Sequence, residues 1–164
     1  MGEKTSVTAS EVKKLRESTG AGVMECKRAL EDTSGDFDQA VSLVKERRLE
    51  KAASRSSRGT NEGLVEAYIH PNRPIGAMIS LSCETDFVAR TDDFRNLARD
   101  LCMHIAAMDP ACISPDQGNE GEPLLSQPFV KDPGRKVADV IQEVAAKTGE
   151  NVKVSEFSRF EIGS

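Results

Sequence analysis

The residues best suited to chemistry are few: Cys26, Cys83, Cys102 and Cys112, with His70 and His104 as the only histidines. A zinc site needs closely spaced thiolates or imidazoles, and these cysteines form no C-x-x-C pair, nor do the histidines complete a ligand spacing. They read as buried thiols in a reducing compartment, with no metal and no cofactor expected. A thiol or acyl-transfer enzyme acting through Cys26 or Cys83 is the rival reading, since an activated thiolate could serve as nucleophile. The sequence has no G-x-x-x-x-G-K-S/T phosphate loop, no G-x-S-x-G elbow, no H-E-x-x-H and no dinucleotide fingerprint. Gly20 and Gly22 lack the Lys-Ser/Thr continuation of a phosphate cradle and suit a turn between helices. The expectation is a protein that is not an enzyme and binds no nucleotide directly.

One short segment stands out. In Thr85-Asp86-Phe87-Val88 a large aromatic follows a carboxylate where a buried alternation ends. Phe87 could plug the core, or it could stand exposed and be buried by a partner, a transfer worth about 1.5–3 kcal/mol.

Composition narrows the alternatives. Twenty-two Lys and Arg against 27 Asp and Glu give a net charge of −5, which disfavours bulk electrostatic attraction to nucleic acid. A local exception runs from Lys45 to Arg58, with six basic and two acidic residues. It reads as a solvated helix face or as the patch of an RNA-binding, translation-associated module, and scarce aromatics for base stacking count against the second. No window holds the roughly 18 consecutive apolar residues of a membrane span, and MGEKTS lacks a signal peptide's apolar region, so the expected location is the cytoplasm. Met1, Gly2 and Ser6 satisfy the loose N-myristoylation pattern, and nothing else in the sequence supports it.

These residues must be positioned by a recognisable series of elements. Thr8-Ala9-Ser10-Glu11 is a capping box opening a short helix with Val12 and Leu15 on one face. A turn at Thr19–Gly22 leads to a second helix with Cys26, Ala29 and Leu30 on its apolar side. Gly35 ends it, and Asp36 caps a third helix striped by Phe37, Ala40, Val41 and Val44. Residues 51–61 read as a linker, helical at most at its start. The period then becomes alternating. Val65, Ala67 and Ile69 lead into the polar loop His70–Pro74, and Ile75, Ala77, Ile79, Leu81 and Cys83 lead out, a β-hairpin whose second strand buries its odd-numbered face. Asp92 or Asp93 caps a helix with the stripe Phe94, Leu97, Ala98, Leu101, Ile105 and Met108, His104 lying at the edge of that face. An acidic loop spans 111–128. Asp132-Pro133 then reads as the start of a helix with Val137, Val140, Ile141, Val144 and Ala145, ending at Thr148-Gly149. Val152, Val154, Phe160 and Ile162 share one alternating phase and predict a third strand returning to the hairpin. The expected fold is α+β: a three-helix domain over 1–50, the linker, and an α+β core over 62–164 with a small antiparallel three-stranded sheet packed with helices.

The segment Leu15–Leu30, reading LRESTGAGVMECKRAL, resembles the N-terminal signature of the elongation factor Ts family. Cys83–Arg90, CETDFVAR, resembles its second signature. Met103–Ala107, Gln127–Pro133 and Arg159-Phe160-Glu161 are also similar to family segments, so the match runs nearly end to end. Ser80 and Ser82 depart from it, the family usually having Glu and Asn there. The resemblance implies a guanine-nucleotide exchange factor for elongation factor Tu, bound to the partner in its GDP-bound and nucleotide-free forms. It implies that the three-helix domain is UBA-like and docks through Val12, Leu15, Arg16, Val23 and Met24. Thr85, Asp86, Phe87 and Val88 would intrude beside the partner's magnesium site, and His104 would contact a distal domain of the partner. Short members of the family resemble one half of the longer ones and dimerise, so the resemblance also implies a homodimer with a single core.

Overall fold

The computed structural model describes residues 7–118 and 120–163, so the myristoylation pattern lies outside the described residues. The chain is α+β and divides into two compact units, Met1–Ser54 and Arg55–Ser164. The boundary falls inside the stretch read as a linker, because the third helix continues to Ser54.

The first unit holds α1 (Ala9–Thr19), α2 (Val23–Asp32) and α3 (Phe37–Ser54). Each start has a local cause. The Glu11 amide donates to Thr8 Oγ1 at 3.3 Å while the Thr8 amide donates to the Glu11 carboxylate at 2.7 Å, so both halves of the capping box are made. Asp36 Oδ1 accepts from the Gln39 amide at 2.9 Å at the head of α3. Gly20 ends α1 in the left-handed region at φ 66°, where a Cβ would be strained. The helices bury Leu15, Cys26, Ala29, Leu30, Ala40 and Val44 against one another.

The second unit is built on β1 (Glu62–Ile69), β2 (Ile75–Cys83) and β5 (Lys153–Glu161), ordered β1-β2-β5 and antiparallel throughout. Between β2 and β5 come the one-turn α4 (Asp86–Ala89), α5 (Asp92–Met108), a small hairpin of β3 (Pro128–Phe129) and β4 (Asp132–Lys136), and α6 (Val137–Thr148). Ala77, Ile79, Leu81 and Cys83 of β2 are buried, as the alternation requires. Helix α5 packs across β1 and β2 with Phe94, Leu97, Ala98, Leu101 and Ile105 inside, and α6 packs beside it. The residues from Ala111 to Gln127 contain two short 3-10 turns, Pro115–Gln117 and Leu124–Ser126.

Several local expectations are corrected. Asp132-Pro133 belongs to β4, and α6 begins only at Val137, where the Asp139 carboxylate accepts the Lys136 amide at 3.0 Å. A proline in a two-residue-wide hairpin removes little hydrogen bonding, so the sheet tolerates it where a central strand would not. Thr91, not an aspartate, caps α5, leaving Asp92 and Asp93 in the first turn where carboxylates favour the helix dipole. In β1, Val65 and Ile69 are exposed, while Leu64, Glu66 and Tyr68 lie opposite the buried residues of β2. In β5 the single apolar phase is broken. Ser80 pairs with Glu156 and Leu81 with Val154, so a bulge at Ser155 turns Val154 inward but Phe160 outward.

The sheet also depends on one glycine. Gly63, at φ 152° and opposite Ser82, leaves no room for a side chain, since a Cβ would lie 2.1 Å from the Leu81 carbonyl oxygen. Gly63→Ala is expected to destabilise the protein by more than about 1 kcal/mol, seen as a lower denaturant midpoint at unchanged slope.

Candidate functional site

Strand β2 ends at Cys83, and the chain turns through Glu84 and Thr85 into α4. Thr85 Oγ1 accepts weakly from the Val88 amide, at 3.5 Å, and Asp86 pairs with Arg90 across one turn at 3.0 Å. Val88 and Ala89 point into the core, leaving Phe87 on the opposite side with 78% of its surface exposed. The core-plug reading of Phe87 is thereby excluded, and the residue that does fill the core is Val88, which is not free to touch a partner. Water contact over most of an aromatic ring forgoes a large apolar transfer energy, which an adjoining protein surface could recover.

The base of this turn is held by residues that sequence reasoning did not single out. Glu150 Oε2 accepts the amides of Glu84 and Thr85 at 3.0 and 2.9 Å, and Oε1 accepts the Thr85 hydroxyl at 2.6 Å. The Asn151 amide donates in return to Glu84 Oε1 at 2.7 Å. Glu150 is about 65 positions away in sequence, just past the glycine that ends α6, so no local pattern could have signalled it.

In the first unit the expected docking residues divide. Val12, Arg16 and Val23 line one groove of about 360 Å³ with Val7, Ala9, Lys13 and Lys27, and Val23 and Met24 are 50% and 60% exposed. Leu15 is fully buried in the helical core, so it supports this surface from beneath and offers no contact itself. The groove's lining combines apolar side chains with those of Lys13, Arg16 and Lys27.

A further surface lies on the outer face of the sheet. Val65, Ile69, Met78 and Phe160 share that face and are exposed, Ile69 by 75% and Phe160 by 69%. At its other end Ser82 Oγ lies 2.8 Å from Ser155 Oγ and 3.0 Å from Thr60 Oγ1, so this serine is engaged at the bulge.

The structure places His104 inside the second unit, fully buried. Nδ1 accepts the Val130 amide at 3.1 Å, which leaves the proton on Nε2, 2.9 Å from Gln127 Oε1. The ring stacks on Phe129 at 5.8 Å between centroids. With both nitrogens engaged and no exposed surface, His104 is corrected from a partner contact to a core histidine. Part of the basic stretch is engaged within the protein. Arg47 pairs with Asp32, Lys51 with Glu25 and Arg58 with Glu84, and Arg48 donates to the Thr19 carbonyl. This weakens the RNA-binding reading, which needs cations free for phosphates.

The thiol reading fares no better. All four cysteines are buried. Burial first, then the Glu150 carboxylate, raises the Cys83 pKa, and burial with Glu66 pushes Cys102 up to about 12. A protonated, enclosed thiol is the opposite of an activated nucleophile. No cluster of His, Cys, Asp or Glu suited to a metal ion occurs among the described residues, and no helix among them is long and apolar enough to cross a membrane.

Comparison with known proteins places this architecture among the translation elongation factors. Residues 4–121 match the family model described as Elongation factor TS. A relative named Elongation factor Ts from Herpetosiphon aurantiacus is 41% identical over 196 residues, covering 97% of this chain and 99% of that protein. Proteins of the same name from Heliobacterium modesticaldum and Rubrobacter xylanophilus are 43% and 40% identical, covering 96% and 92% of this chain and 90% and 96% of their own. The chain belongs to the elongation factor Ts family. The 196 aligned positions of the first relative exceed the 164 residues here, so at least 32 of them have no counterpart in this chain.

The setting of His104 has a measurable consequence. Burial lowers its pKa below 6.5, against smaller opposing effects of the Gln127 hydrogen bond and Glu122, and protonating Nδ1 would aim two donors at each other across the Val130 amide. The unfolded chain therefore binds the proton more readily. The contribution of His104 is complete above about pH 6.5 and is lost as pH falls below it. Melting temperature should drop between pH 7 and 5.5, and the drop should be shallower in His104→Gln.

Proposed function

We propose that this chain is a guanine-nucleotide exchange factor for elongation factor Tu, and that it acts in the cytoplasm by protein binding, without a nucleotide site or catalytic chemistry of its own. The observation that carries this reading is Phe87, an exposed ring on a one-turn helix whose other face is anchored in the core. Such a side chain is mounted to enter another protein. Here Phe87 would wedge into the GTPase while Asp86 disturbs the surroundings of its magnesium ion. Because that ion bridges the nucleotide's phosphates in a GTPase site, disturbing its ligands weakens a large local attraction holding GDP.

The remaining assignments follow the same logic. Residues 1–50 would form the UBA-like docking domain, presenting Val12, Arg16, Val23 and Met24, with 51–61 as linker and 62–164 as the domain carrying the wedge. Linkage requires reciprocity. Whatever factor the bound exchanger removes from the partner's affinity for GDP, GDP removes from the partner's affinity for the exchanger. Docking energy from the three-helix unit would offset the strain of inserting Phe87, so that both the GDP-bound and the nucleotide-free partner can be bound.

A homodimer is part of the proposal. Its support is the apolar outer face of the sheet, where Ile69, Met78 and Phe160 stand together in water, a patch that a second copy would cover in a self-complementary contact.

Two measurements test these assignments. In stopped-flow release of a fluorescent GDP from elongation factor Tu at fixed magnesium, the wild type should accelerate release. Phe87→Ala should lower that rate roughly ten- to a hundredfold while leaving complex formation detectable, and an unchanged rate would refute the wedge. Sedimentation equilibrium should give the mass of two chains for the wild type and of one for Phe160→Glu, whereas a monomeric wild type would overturn the dimer.

A further inference from the structure

The turn that presents Phe87 has little to hold it from within its own sequence. Helix α4 is a single turn, its threonine cap is long at 3.5 Å, and the Asp86–Arg90 pair lies on the exposed surface, where such pairs contribute little. Besides the burial of Val88 and Ala89, what fixes the turn comes from elsewhere. The carboxylate of Glu150 gathers three donors, the Glu84 and Thr85 amides and the Thr85 hydroxyl, all within 3.0 Å. Bonds to an ionised acceptor are shorter and stronger than neutral ones, and removing this acceptor would orphan two part-buried amides at the foot of α4.

The bracing is reciprocal. The Asn151 amide donates to Glu84, while its side-chain amide donates to the carbonyls of Ser56 and Arg58 at 3.1 and 2.7 Å. Arg58 in turn lies 3.7 Å from Glu84. The three residues Gly149, Glu150 and Asn151 therefore tie the end of α6 to the turn after β2. Gly149 makes the tie possible. It stands at φ 77°, a left-handed conformation that stops the helix and sends the next two residues back toward the turn.

We propose that Glu150 is the positioning residue of the exchange wedge: by holding the Glu84 and Thr85 amides and the Thr85 hydroxyl, it aims Asp86 and Phe87 and so sets how fast nucleotide leaves, more than how tightly the partner binds. This rests on the exchange reading above. A group that orients the wedge contributes where the wedge is inserted, whereas affinity is supplied mostly by surfaces that Glu150 does not touch. Gln at this position keeps one carbonyl oxygen for the two amides but loses the charge, so it should serve partially. Ala keeps nothing.

The test uses full-length wild type, Glu150→Gln, Glu150→Ala and Thr85→Val in the fluorescent-GDP release assay with elongation factor Tu, fitted for maximal rate and half-saturating concentration. The expected result is a maximal rate lowered roughly tenfold or more by Glu150→Ala, less by Glu150→Gln and Thr85→Val, with half-saturation changed by less than about threefold. Melting curves show which variants are folded. If Glu150→Ala fails to fold, Glu150→Gln, which keeps an acceptor for the amides and leaves Thr85 untouched, carries the test together with Thr85→Val, which removes the hydroxyl bond to Glu150 and the long cap on the Val88 amide. An unchanged maximal rate in the folded variants, or a loss confined to half-saturation, overturns the positioning role while leaving the exchange reading intact. A wild type that does not accelerate release overturns the exchange reading and this proposal together.

Discussion

The central strand β2 constrains nearly everything in the second unit. It is hydrogen-bonded on both edges, and its odd-numbered residues Ala77, Ile79, Leu81 and Cys83 have to leave water on one side. Burying Ile79 and Leu81 alone is worth about 1.5–3 kcal/mol each, and the cover for them is the stripe of α5. Once β2 and α5 are fixed against each other, only a short path joins Cys83 to the head of α5 at Thr91. That path has to turn sharply, and it does so as one turn of helix. Two of its residues, Val88 and Ala89, continue the core, and Phe87 is left on the outside.

An exposed aromatic on a short helix is useful only if its direction is fixed. A free loop would let Phe87 collapse onto the nearest apolar surface. Here the Glu150 carboxylate accepts the Glu84 amide and the Glu84 carboxylate accepts the Asn151 amide, joining the turn to the end of a helix. Burial, and after it the same carboxylate that braces the turn, raises the Cys83 pKa.

Electrostatics acts mostly inside the molecule. The cations of Arg47, Lys51 and Arg58 are paired with carboxylates, so part of a basic stretch that looks like a nucleic-acid patch in one dimension is engaged within the molecule. His104 is treated in the opposite way, kept neutral by burial between Gln127, Phe129 and Val130. The large apolar side chains left exposed include Val23 and Met24, Phe87, and Val65, Ile69, Met78 and Phe160 on the outer sheet face.

The local elements were legible in the sequence because their causes are local. A capping box at Thr8, a glycine at the end of α1, the alternation of β2 and the stripe of α5 each act within a few residues, and the two signatures around Gly20 and Phe87 pointed to the family. Direction was not legible. Whether Phe87 faces water, whether Val65 faces out, and whether Phe160 shares a side with Val154 depend on strand pairing and on a bulge at Ser155, which reverses the phase of everything beyond it. Glu150 was invisible for the same reason: its donors lie about 65 residues away. Sequence determined the longer helices and the strands of the three-stranded sheet, though not the small hairpin of β3 and β4 or the one-turn α4, and it pointed to the family. Only the tertiary structure decided which side chains remain exposed, because burial is settled by what packs against a face, and that neighbour comes from elsewhere in the chain.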